Sequence, residues 1–132
     1  MQLVTLDFET YYDKDYSLRK MNTIEYVTDE RFKAHGVSIQ IDDSEPLYFT
    51  GKDMGWALRA ALKEPCTLVC QNTKFDAFIL HHHYSLYPTR YADTRSMAKA
   101  LFPFESASLK ELCIRLFPDD ETMRKGDELA DS

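Results

Sequence analysis

A run of β-branched and apolar residues that ends in two acids is the feature that most constrains this chain. Residues 2–8 (Gln-Leu-Val-Thr-Leu-Asp-Phe) have the make-up of a strand, and Glu9 follows at once. Side chains at i and i+2 of a strand point to one face, so Asp7 and Glu9 share a face while Leu6 and Phe8 pack on the other. Two carboxylates side by side at a strand end suit a hard divalent cation, which takes oxygen ligands. The same pair equally suits an exposed polar strand end, so alone it decides nothing.

Strand character returns at residues 36–41, where Val37, Ile39 and Ile41 alternate with Ser38 and Gln40, and again at residues 47–50 after the turn at 42–46. The two segments predict a hairpin beside the first strand. Between them and the first strand, residues 11–33 are rich in tyrosine and charge and lack either period. They read as an excursion with one helical turn around residues 18–21. Trp56, Leu58, Ala60, Ala61 and Leu62 fall at helical spacing after Asp53, a capping residue type, and Pro65 stops that helix. A short apolar run, residues 67–70, leads into Gln71-Asn72-Thr73. Phe75, Phe78, Ile79 and His82 mark the next helix, closed by Pro88. Ala92-Asp93-Thr94 opens a further helix that Pro103 stops, and Ser106 or Ser108 caps a last one that ends at Pro118. The order β-β-β-α-β-α-α-α predicts an α/β unit with a mixed sheet. With 132 residues, 44% hydrophobic and 13% aromatic, the chain has material for one core, so residues 1–132 are expected to be one domain.

The second acidic element is Asn72-Thr73-Lys74-Phe75-Asp76, at a strand-to-helix junction. Asn72 or Thr73 can cap the helix, and an acid in its first turn interacts well with the helix dipole, so Asp76 has a complete structural role of its own. In an α/β sheet, however, strand ends at one edge bring distant residues into a common crevice. Asp7, Glu9 and Asp76 gathered there would repel one another strongly without cations.

Leu6-Asp7-Phe8-Glu9-Thr10, Asn72-Thr73-Lys74-Phe75-Asp76, Asp93-Thr94-Arg95-Ser96-Met97-Ala98 and Ser108-Leu109-Lys110-Glu111-Leu112, in that order, resemble the exonuclease domain of the DEDD (DnaQ-like) superfamily. The chain is most similar to the versions found in phage-type DNA polymerases of the polymerase I family. The resemblance implies a ribonuclease-H-like α/β fold, with a mixed sheet flanked by helices. It also implies hydrolysis of terminal phosphodiesters at a single-stranded DNA 3' end, assisted by two Mg2+ or Mn2+ ions and releasing 5'-mononucleotides. Asp7, Glu9 and Asp76 match the catalytic, metal-binding positions. Phe8, Thr10 and Asn72 match positions close to substrate, Phe8 and Thr10 through packing and backbone, and Asp93 matches a structural position. The implied partner is a polymerase domain in the parent protein, and the implied role is proofreading. The family pattern closes with a Tyr-x-x-x-Asp motif or a His-containing equivalent, yet this sequence has no Tyr and no His after Tyr91. The expectation is a domain lacking its C-terminal part, with little or no turnover. Competing readings are a free-standing oligoribonuclease-like enzyme acting on RNA, and a non-catalytic module that binds nucleic acid or protein on the same fold.

Other readings weaken on inspection. Cys66 and Cys70 precede three histidines, but in a strand they would stand about 13 Å apart at ~3.3 Å per residue, too far for one tetrahedral zinc. His81, His82 and His83 occupy successive helical positions and fan out over different faces. Three cysteines without export features suggest reduced thiols. The net charge of -6 is unusual for a nucleic-acid enzyme. Six of the 22 acids and two of the 16 bases fall within residues 118–132, leaving 16 acids against 14 bases in the rest. Charge therefore neither supports nor opposes DNA. No run of roughly 20 apolar residues is present. The expectation is a cytoplasmic protein without membrane contact, in the host cytoplasm if phage-encoded.

Overall fold

The computed structural model describes residues 1–101, 109–116, 118, 119 and 122. Its strands are Gln2–Thr10 (β1), Ala34–Ile41 (β2), Leu47–Thr50 (β3), Cys66–Cys70 (β4) and Arg90–Asp93 (β5). Its helices are Thr23–Thr28 (α1), Lys52–Ala61 (α2), Thr73–Ile79 (α3), Thr94–Leu101 (α4) and Leu109–Leu116 (α5), and a π-helical stretch, Leu80–Tyr84, continues α3. The sheet order is β3-β2-β1-β4-β5, which puts the acid-bearing strand in the middle. The β1-β2 and β2-β3 pairs are antiparallel and the β1-β4 and β4-β5 pairs parallel, so the sheet is mixed. The expected Ser106 or Ser108 cap and most of the acidic tail lie outside the described residues.

Alternation along β1 decides which face becomes core. Val4, Leu6 and Phe8 are buried, whereas Leu3, Thr5 and Asp7 are exposed. Register carries the apolar face across the sheet, through Val37 and Ile39 on one side and Leu68 on the other. That face packs into one cluster with Met54, Ala57, Leu58 and Ala61 of α2 and with Ala77, Ile79 and Leu80 of the α3 region. Leu58, Leu68, Ile79 and Leu80 are fully buried, each contributing about 1.5–3 kcal/mol of transfer free energy.

The excursion is more ordered than its composition suggests. Tyr16 and Tyr26 stack with centroids 4.4 Å apart, and the Tyr16 hydroxyl donates to the Tyr26 carbonyl. Arg31 lies 4.7 Å over the Tyr16 ring. The expected helical turn at 18–21 is a single turn closed by Lys20 and Met21 N–H groups on the Ser17 carbonyl. The helix instead forms one step later, as α1, where the Asn22 side chain accepts from Glu25 N at 2.8 Å. In α2 the cap position belongs to Gly51, at φ 58, and Asp53 falls in the first turn. Glycine is the residue that adopts this backbone without steric cost. A fifth strand also stands where only a helix start was expected: Arg90–Asp93 pairs in parallel with β4, and α4 begins at Thr94.

Candidate carboxylate site

Parallel pairing of β1 and β4 brings the segments that follow them to one edge of the sheet. Two residues separate β4 from α3, whose first turn delivers Asp76 to the C-terminal end of β1, at Phe8. Asp76 is 3% exposed, and its Oδ1 accepts from the Phe8 N–H at 3.4 Å, a contact between residues 68 positions apart. Burial first, and the Asp7 carboxylate next, push the Asp76 carboxyl well above the usual carboxylate range. The Phe8 N–H and the Cys70 thiol oppose that shift without cancelling it. Cys70, the last residue of β4, is itself pushed up by burial and then by Asp76, so it remains a thiol that donates to the carboxylate.

The start of α3 is held by a residue from another strand. Asn72 occupies the cap position in the left-handed region (φ 65, ψ 64), which Asn tolerates better than most residues, and its side chain makes no capping bond. Neither Asn72 nor Thr73 caps the helix as expected. Asp93 at the end of β5 does so: its Oδ1 accepts from Asn72 N at 3.0 Å and its Oδ2 from Thr73 N at 3.1 Å. The same carboxylate accepts from Arg95 N and Ser96 N, so it caps α4 as well. Burial works to raise the Asp93 carboxyl, but the four backbone N–H groups together outweigh it and hold the group below its usual range. The structural role expected of Asp93 is present and doubled.

Of the three carboxylates singled out in the sequence, the structure brings Asp7 and Asp76 together. Glu9 is half-buried at the end of β1, beside a register shift between Glu9 and Thr10. Such an irregularity re-aims side chains. Among the described residues no three His, Cys, Asp or Glu side chains converge closely enough to hold an ion. Phe8 packs on the core side, as its alternation with Asp7 and Glu9 predicts: it is 4% exposed and its ring stacks on Tyr84. It reaches the site through its N–H alone. The Thr10 hydroxyl lies 2.9 Å from the Tyr26 hydroxyl, and Tyr26 also donates to the Tyr11 carbonyl, so the excursion braces the end of β1. The three histidines take different partners as expected, although the His82 and His83 rings meet edge-on with centroids 4.7 Å apart. His81 pairs with the Tyr91 hydroxyl, His82 stacks on Phe78, and His83 meets the Val27 carbonyl and the Phe32 ring. Cys66 and Cys70 are the first and last residues of β4, both buried, as the argument against zinc required.

Sequence reasoning did not find Cys70 beside Asp76, nor Tyr26 beside Thr10. The ending of the 67–70 run next to the Asn72–Asp76 junction signalled the first. Nothing local signalled the second.

The sequence matches the family model described as 3'-5' exonuclease over residues 23–131. No curated protein matches it significantly. Among solved structures, Brucella melitensis NrnC superposes with a TM-score of 0.66 at 19% identity, over 98% of this chain and 59% of that one. NrnC bound to pGG gives 0.62 at 21% identity, over 95% and 57%. NrnC with bound Mg2+ gives 0.61 at 19% identity, over 97% and 61%. The present chain thus spans about three-fifths of the length of these relatives. Their likeness establishes the fold, the ribonuclease-H-like α/β sheet that the motifs implied. With most of its length matched by the family model, the chain belongs to the 3'-5' exonuclease family.

Proposed function

We propose that this chain carries the metal-binding carboxylates of an exonuclease that hydrolyses terminal phosphodiesters from the 3' end of single-stranded DNA. The observation that carries the proposal is the buried Asp76 carboxyl, which faces Asp7 and whose hydrogen bonds, from the Phe8 N–H, the Cys70 thiol and its own N–H, do not offset burial and the like charge. A buried acid beside a like charge is costly unless a cation compensates it. The donor set fits Mg2+ or Mn2+ in kind, since every candidate ligand is a carboxylate oxygen. In arrangement it supplies the pair Asp7 and Asp76, with Glu9 two residues along β1 from Asp7. Asp7, Glu9 and Asp76 would hold the ions, with the Phe8 N–H and the Cys70 thiol orienting Asp76. When bound, the ions supply Lewis-acid activation of water and of the departing 3' oxygen. The chain's own contribution is to fix the ligands, exclude water from beneath Asp76, and keep the end of β1 in place through Thr10 and Tyr26.

Membership of the family supports a role in 3'-end trimming. The resemblance of the motifs to phage-type polymerase domains favours proofreading beside a polymerase domain in the parent protein. A second reading is favoured by one observation, that a relative of the same fold was solved bound to pGG. Under it the substrate is a very short oligonucleotide, DNA or RNA. Titrating Mn2+ against a 3'-labelled single-stranded oligonucleotide tests the activity, with Asp7→Ala as control. At most slow manganese-dependent shortening is expected, since no Tyr or His follows Tyr91 to supply the closing motif, and it should disappear in Asp7→Ala; shortening that persists in that variant sinks the assignment. Comparing a long DNA with RNA and DNA dinucleotides separates the two substrates.

A further inference from the structure

Asp76 lies in the first turn of α3, the part of a helix that frays most readily. On the C-terminal side of Asp76 the helix is anchored by Ala77 and Ile79 in the core. On the N-terminal side the anchors come from β5 and the residue after it. Asp93 accepts from Asn72 N and Thr73 N. The Thr73 hydroxyl donates to the Ala92 carbonyl at 3.0 Å, and both it and the Thr94 hydroxyl reach the Cys70 carbonyl at 3.4 Å. Residues 92–94 therefore grip the junction between β4 and α3. Thr73 and Asp76 are three positions apart, on one face of the helix, so whatever fixes Thr73 also sets where Asp76 reaches.

Asp76 reaches the stretch of β1 that β4 no longer covers. The pairing of the two strands ends at Thr5 and Val69, and beyond it the Phe8 N–H is met by Asp76 Oδ1 instead. Burial and the charge of Asp7 both favour movement of this carboxylate out to water. A firmly held helix start resists that movement. Resting on the exonuclease reading above, we infer that Asp93 is a positioning residue for metal binding: through the Asn72 and Thr73 N–H groups it holds the first turn of α3 so that the Asp76 carboxylate stays beside Asp7. Asp93 acts through the helix and is not itself a ligand.

Two mild variants test this. In Asp93→Asn the amide oxygen can keep the bonds that Oδ1 accepts from Asn72, Arg95 and Ser96, while the NH2 group replaces the acceptor of the Thr73 N–H. Thr73→Val has nearly the same shape and removes the hydroxyl bond to Ala92. In EDTA, amide hydrogen exchange at Phe8, followed by NMR relative to Val4 in the paired part of β1, reports the placement of Asp76 without metal. Mn2+ binding, followed by electron paramagnetic resonance at a temperature where every variant is folded, reports the consequence. Both variants are expected to exchange Phe8 faster and to bind Mn2+ roughly tenfold more weakly, the lower end of what changes behind a metal ligand produce. Leu62→Ala, a core change beside Cys66 at the far end of β4, should lower the melting temperature and leave both readings unchanged. Wild-type Mn2+ affinity in Asp93→Asn and Thr73→Val, with or without faster exchange, overturns the positioning role, as does equal weakening in Leu62→Ala. Asp7→Ala separates the two ideas. If it abolishes Mn2+ binding while the Asp93 and Thr73 variants bind normally, the exonuclease reading stands and the positioning role falls. If wild-type Mn2+ binding is indifferent to Asp7→Ala, both fall.

Discussion

Asp76 is a carboxyl whose environment opposes its own charge. Its folded-state value is raised, so its contribution to stability is full below the unfolded value of about 3.9 and is lost as pH rises through the folded value. Replacing it with Asn keeps an acceptor for the Phe8 N–H and removes the charge. Asp76→Asn is therefore expected to raise the melting temperature of the metal-free protein at pH 8, with a gain of about 1 kcal/mol appearing as roughly 4–6 °C in a domain of this size. In the wild type, millimolar Mn2+ should stabilise the protein, and in Asp76→Asn that shift should disappear. Differential scanning fluorimetry with and without Mn2+ measures both effects. An Asn variant less stable than the wild type without metal would mean that Asp76 is already compensated within the protein.

Two elements, α3 and α4, depend on one carboxylate from β5. Asp93→Ala removes the caps of both, and at about 1 kcal/mol for each cap the expected loss is ~2 kcal/mol, measured by urea unfolding. A loss near zero would show that water replaces the caps. Between β2 and β3 a different constraint operates. A Cβ at Gly36 would lie 2.1 Å from the Tyr48 hydroxyl, whose ring crosses the glycine. Gly36→Ala is expected to destabilise by ~1 kcal/mol, and Tyr48→Ala in the same chain should recover most of that, because the obstacle is the flexible end of an exposed side chain. These couplings mark the limit of what the sequence disclosed. β1, the hairpin of β2 and β3, and the helices after Asp53 and Asn72 were legible because their alternation or spacing is local. β5 was not, being four residues of mixed exposure at a sheet edge. Nor was α1, whose six residues carry no full period and whose place is set by the Tyr16-Tyr26 stack. In the site, the acid types and their strand-end positions could be read from the sequence. That Asp93 would cap the helix bearing Asp76 required the tertiary arrangement.

Across the whole molecule these charges pull stability in opposite directions with pH. Asp29 is held at about 2, mainly by its hydrogen bonds from Arg31, and Asp93 also lies below the usual range. Their folded values are depressed, so their contributions are present above the unfolded value and lost as pH falls through the folded one. Asp76 has the reverse sign. Metal-free protein is thus expected to be most stable in mildly acidic solution and to weaken toward pH 8, and saturating Mn2+ should move the optimum upward. Melting temperatures recorded from pH 4 to pH 8, with EDTA or Mn2+, check this; an identical optimum in both series would contradict it. Among the described residues no helix is long and apolar enough to cross a membrane.

The central position of β1 has a consequence for how the chain comes together in time. Its β4 neighbour lies more than fifty residues downstream, and the Phe8-Asp76 contact closes a still longer loop. Pairing that joins remote segments must first overcome the entropy of loop closure and is slow compared with local hairpins. The β2-β3 hairpin can form early, whereas β1 waits with one edge open until β4 has emerged. Asp7 and Asp76 therefore meet only late in folding. Before that the chain presents no paired carboxylates to a cation, and competence to bind metal becomes a signal that the sheet has been completed.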